Sequence, residues 1–136
     1  MSSNLIIKNT ISFVKETLKD AEGGHDWFHI ERVYRNALSI AKDENVDEFI
    51  VALGALLHDI ADAKFYDGDE TMGPKMAREF LESQEVDDDT IVHIENIIKY
   101  ISYKSSLTDE KLFSSPELDV IQDADRLDAI GAIGIA

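Results

Sequence analysis

A chain of 136 residues, 44% hydrophobic and 30% charged, is sized for one domain with a real core and is too short for two ordinary ones. Its formal charge of -15 and pI near 4.4 argue against a broad nucleic-acid or anionic-membrane surface, which needs a basic footprint. Cysteine is absent, so there is no disulfide framework and no thiolate metal site, and imidazole and oxygen are the ligands available.

Met1-Ser2-Ser3-Asn4 lacks the basic region and apolar run of a signal peptide, and no later apolar stretch approaches membrane-spanning length, so a cytoplasmic location is expected. Ile7, Ile11, Val14 and Leu18 recur at helical spacing and predict a first amphipathic helix, stopped by Gly23-Gly24. Asp26 is placed to cap the next helix, whose stripe is His29, Val33, Ala37 and Ile40, with Arg32 and Arg35 to the side of His29. Asp47 caps a third helix, with Val46 stapling onto Val51. Residues 49–57 are almost continuously apolar, which predicts a central helix buried on most sides, with His58 and Asp59 at its end.

Residues 62–70, containing Asp67-Gly68-Asp69, have the composition of a polar loop. Gly73-Pro74 marks a new helix with Met76, Ala77 and Phe80 on its core side. After the Asp87-Asp88-Asp89 cap, Ile91, Ile94, Ile98 and Ile101 form the seam of another helix. Ser115-Pro116-Glu117 starts the last one, in which Leu118, Ile121, Asp125 and Ala132 share a face. The expectation is one all-α domain over residues 1–136 with roughly six helices. The apolar end, residues 130–136, reads as a helix cut before its partner: it packs on its own core, mediates a homo-oligomer, or marks a fragment.

Three polar stretches fall on separate apolar helices: the one around His25 and His29, the His58-Asp59 pair, and Asp123-Ala124-Asp125-Arg126. Taken singly, each has an ordinary explanation. His29 suits a hydrogen-bonded core or surface histidine, His58 an interaction with the helix dipole, and Asp125 an ion pair with Arg32 or Arg126. An inward-facing carboxylate without a partner is costly, however, and a shared divalent cation explains all three stretches at once. Such a mixed N/O set suits Mn²⁺, Fe²⁺, Co²⁺, Ni²⁺ or Mg²⁺ and leaves positions for water or substrate. Spacing alone leaves His25 against His29, and Asp123 against Asp125, open.

The blocks His25-Asp26-Trp27-Phe28-His29-Ile30-Glu31-Arg32-Val33, Leu56-Leu57-His58-Asp59-Ile60-Ala61-Asp62 and Gln122-Asp123-Ala124-Asp125-Arg126-Leu127-Asp128-Ala129-Ile130-Gly131-Ala132 together resemble the HD superfamily of metal-dependent phosphohydrolases, whose pattern is H…HD…D. The resemblance runs from about His25 to the end. It implies the all-α HD-domain bundle and one metal, Mn²⁺ first, held by His29, His58, Asp59 and Asp125; only His93 lies between the HD pair and the last aspartate, too few for a second ion. It implies hydrolysis of a small phosphorylated substrate, a nucleotide, of the triphosphate pyrophosphohydrolase or nucleotidase kind. Lys64 and Arg126 would then neutralise substrate phosphates, and Asp62, His25 and Asp26 would manage the proton or bind on the substrate side. The family branch is usually longer, with further helices after residue 136. The rival reading is a metal-binding but catalytically silent module that senses a nucleotide or acts as a scaffold.

Overall fold

A computed structural model describes residues 2–19, 27–60, 72–101 and 114–134. Among them the chain forms six helices and no strand: α1 (Ser3–Leu18), α2 (Trp27–Ala41), α3 (Glu48–Leu57), α4 (Met72–Ser83), α5 (Asp88–Ile101) and α6 (Pro116–Gly134). The Gly23-Gly24 stop, the Asp26 cap and the loop expected at 62–70 lie outside the described residues. So do the side chains of residues 129–136, and with them Ala132 and the apolar end expected to meet a partner.

The helix starts follow the capping residues. The Asp47 carboxylate accepts from the Phe49 and Ile50 amides, Asp87 accepts from the Thr90 amide at 3.0 Å, and Ser115 Oγ accepts from the Leu118 amide at 3.0 Å. Each satisfies amide donors that the first turn leaves unpaired. The amphipathic stripes are rotated slightly from those read by periodicity. In α1 the buried positions are Ile6, Thr10, Val14 and Leu18, with Ile7 and Ile11 only partly covered. Thr10 is tolerated there because its hydroxyl donates to the Ile6 carbonyl at 2.7 Å. In α2 the buried stripe is Ile30, Val33, Ala37 and Ala41, which leaves His29 at its margin.

The third helix is the hub. Residues 50 through 57 are all buried, because α1, α2, α5 and α6 each pack against it. Alongside it α4 pairs with α5 and α2 packs along α6. Arg78 ties the α4–α5 pair together by donating to Glu95 at 2.7 Å and Asp88 at 3.0 Å. Phe13 of α1 stacks on Phe80 of α4 with centroids 4.2 Å apart. Where α3 meets α5 and α6 the approach is close: a Cβ on Gly54 would stand 2.7 Å from Ile121 Cδ1, so that side-chain end would have to move, and 3.5 Å from Ile97 Cδ1. No helix among the described residues is long and apolar enough to cross a membrane.

Candidate metal centre

The polar groups lie one turn beyond the contact at Gly54. His58 follows Gly54 by four residues and caps α3; Asp125 follows Ile121 by four on α6. Residues four apart lie on one helix face, so the close approach at Gly54 and Ile121 brings His58 toward Asp125. His29, in the first turn of α2, reaches the same place because α2 packs against both α3 and α6. His29, His58 and Asp125 each present a ligand atom, and these atoms all lie within 4.8 Å of one another.

Both imidazoles are oriented in the same sense. The Nδ1–H of His58 donates to the Ala55 carbonyl at 2.7 Å, and its Nε2 stands 3.7 Å from Asp125 Oδ1. The His29 Nδ1 is 2.6 Å from Asp128 Oδ2, and its Nε2 stands 3.6 Å from the same Asp125 oxygen. Both Nε2 atoms therefore face one carboxylate oxygen, at distances too long for good hydrogen bonds. Ligands bound at about 2.1 Å to a common ion sit roughly 3.0–3.4 Å apart; the two imidazole–carboxylate separations are within a few tenths of an ångström of that, and the whole set lies within 4.8 Å. The residues fit a divalent ion in donor type and in spacing.

Asp59 sits in the turn after α3. Its carboxylate acts on His58 through its charge but is not among the three groups whose ligand atoms cluster. Successive side chains leave a helix about 100° apart, so the two members of the pair do not point alike. Asp123 is on the solvent side of α6, where it faces Arg126 across 3.7 Å with both side chains more than half exposed. Asp125, not Asp123, is the carboxylate of the cluster, and Arg126 is not brought into it. His93 lies elsewhere, 2.9 Å from Ser115 Oγ at the start of α6. His25, Asp26, Asp62 and Lys64 lie outside the described residues.

Arg32 bonds Asp128, not Asp125: its Nε donates to Asp128 Oδ1 at 2.5 Å. Asp128 is the site residue that motif reasoning passed over. The available signal was its i, i+3 spacing from Asp125, which places both on one face of α6. Burial pushes the Asp128 carboxyl upward, but the hydrogen bonds from Arg32 and then His29 outweigh it and hold the group below the usual carboxylate range. It is therefore ionised wherever the imidazoles are neutral.

Burial acts on His58 in the lowering direction, yet Asp125, the charge of Asp59 and the Ala55 carbonyl together raise its pKa above the ordinary imidazole value. A cation needs the neutral ring, so it must displace this proton. Divalent-ion affinity is expected to fall as the pH drops from about 8 to 6, with proton release on binding. Calorimetry in two buffers of different ionisation enthalpy measures this, and a flat affinity across that window would contradict it.

The profile of the HD domain family matches residues 27–130. The chain belongs to the HD domain family. It is 38% identical over 129 residues to the uncharacterized protein YpgQ of Bacillus subtilis, a match covering 92% of this chain and 60% of that one. Among solved structures it is similar to an HD-superfamily hydrolase from Bacillus thuringiensis, with a TM-score of 0.78, 37% identity, and coverage of 98% of this chain and 63% of the other. It is likewise similar to Bacillus subtilis YpgQ in complex with ADP, with a TM-score of 0.75, 33% identity, and coverage of 99% and 64%. This HD-domain chain thus spans 60–64% of the length of these relatives.

Proposed function

We propose that this HD-domain chain carries the metal centre of a phosphohydrolase acting on a small phosphorylated substrate, and that the substrate is a nucleotide. The observation that carries the reading is the convergence of His29 Nε2 and His58 Nε2 on Asp125 Oδ1, 3.6 and 3.7 Å away. The nucleotide is supported by the ADP bound to YpgQ. A divalent ion, Mn²⁺ first among Mn²⁺, Mg²⁺, Fe²⁺, Co²⁺ and Ni²⁺, supplies polarisation of a phosphoryl oxygen and acidification of a water.

The protein's part is to hold its two imidazoles fixed, with Nε2 of each toward the site, and to set carboxylates around them. Asp59, already within electrostatic reach of His58, is assigned as the fourth ligand. Lys64 and Arg126 are assigned to the substrate phosphates, where a cationic side chain offsets the repulsion of an acidic protein. Asp62, His25 and Asp26 are assigned to proton transfer and substrate contact.

Metal-free protein reloaded with Mn²⁺ and given a panel of nucleoside mono-, di- and triphosphates tests the reading. Release of phosphate or pyrophosphate, abolished by EDTA and restored by Mn²⁺, is the expected result. Saturable nucleotide binding with no product at any metal concentration would favour the silent sensing or scaffold module instead.

A further inference from the structure

We infer that Asp128 is a positioning residue for the metal centre, acting through His29, and that Arg32 holds Asp128 in place for that role. This rests on the metal reading above. Asp128 is not one of the clustered groups, yet its side chain is only 8% exposed. If it served merely to pair with Arg32, there would be no need for it also to sit 2.6 Å from the remote ring nitrogen of His29. That bond has a definite chemical consequence. With Nδ1–H donating to a carboxylate, the neutral ring keeps its lone pair on Nε2, the nitrogen that faces Asp125.

The two histidines of the centre are oriented by different acceptors. His58 uses a neutral backbone carbonyl of its own helix, so its orientation comes with the end of α3. His29 sits in the first turn of α2, where the side chain that orients it comes from another helix, and its acceptor is anionic. A carboxylate acceptor draws on the Nδ1 proton more strongly than a carbonyl does and makes Nε2 the better donor to a cation. Arg32, one turn beyond His29 on α2, donates through Nε to Asp128 Oδ1 and reaches Oδ2 from Nη2 at 3.5 Å. The carboxylate is thereby held between two groups of α2. The single turn of α6 from Asp125 to Asp128 would then both supply a ligand and fix the tautomer of its neighbour.

The test titrates Mn²⁺ calorimetrically into metal-free wild type, Asp128→Asn and Asp128→Ala, and reads the His29 ring nitrogens of each metal-free protein by long-range ¹H–¹⁵N correlation at a pH where the ring is neutral. Wild type should show the proton on Nδ1. In Asp128→Ala it should leave Nδ1 for Nε2, and Mn²⁺ affinity should fall ~10–100-fold. Asp128→Asn keeps an accepting oxygen and the shape of the side chain, so it should retain the tautomer and lose less affinity. Equal affinity in wild type and Asp128→Ala overturns the inference. So does an affinity loss in Asp128→Ala with the proton still on Nδ1, which would be damage to packing and not a loss of orientation. Absence of Mn²⁺ binding in wild type defeats the metal reading itself, and the inference with it.

Discussion

Asp125→Ala is expected to abolish tight divalent-ion binding while leaving the helices folded. Its Oδ1 is the atom both Nε2 nitrogens face, at 3.6 and 3.7 Å, and neither neighbouring aspartate of α6 replaces it: Asp123 points to solvent and Asp128 is engaged by His29 and Arg32. Removing a group that only orients a ligand costs about 10–100-fold in affinity, and removing the anionic ligand itself should exceed the upper end of that range. Hydrolysis, where wild type shows it, should fall by about 10³-fold or more, the scale of removing a main electrostatic stabiliser of the reaction. A thermal readout separates this from misfolding. Mn²⁺ at 100 times its dissociation constant stabilises the wild type by about 2.7 kcal/mol through mass action, and that increment should vanish in Asp125→Ala while the metal-free melting temperature changes little. A variant that still gains the increment would show that Asp125 is not a ligand.

Gly54→Leu is expected to damage fold and site together. The first added carbon would stand 2.7 Å from Ile121 Cδ1, and the remaining carbons have no room between α3, α5 and α6, whose facing residues Ile97 and Ile121 are fully buried. Overpacking on this scale costs about 3 kcal/mol, a fall of roughly 10 °C in melting temperature for a domain of this size. Any separation of α3 from α6 also moves His58 away from Asp125 one turn along, so Mn²⁺ affinity should weaken in the fraction that folds. Gly54→Ala is the informative contrast. Its single methyl meets the mobile end of one isoleucine, and the gain in helix propensity, up to about 1 kcal/mol, offsets part of the crowding. If Gly54→Leu melted like wild type, the close approach of α3 and α6 described here would be wrong.

The helices were legible because their signals are local. The Asp47, Asp87 and Ser115 caps and the recurrence of apolar residues every three to four positions are written within single segments, and all six expected helices are found. Periodicity was accurate only to one residue in phase. Spacing puts Ile7 and Ile11 on the inner stripe of α1, whereas Ile6 and Thr10 are the more buried pair, because adjacent positions compete for one face and only the neighbouring helix decides between them. The same shift by a fraction of a turn puts His29 and Asp125 at the margins of their buried stripes, 19% and 18% exposed. There a ligand is partly shielded from water and still reachable.

By itself the sequence determined the all-α class, the helix starts, the lack of thiolate ligands and the three motif blocks that resemble the HD pattern. Tertiary structure decided which aspartate of the last block joins the two histidines, since Asp123 and Asp125 differ by about 200° around α6 and only the packing of α6 on α2 and α3 selects a side. It also decided that Arg32 pairs with Asp128 and that His29 is oriented by that pair, a contact between residues 99 positions apart in the chain. Helix propensity and capping act over one turn, whereas a metal centre depends on how three helices cross, and in this chain α3 and α6 come together at Gly54, whose missing side chain leaves room for Ile121.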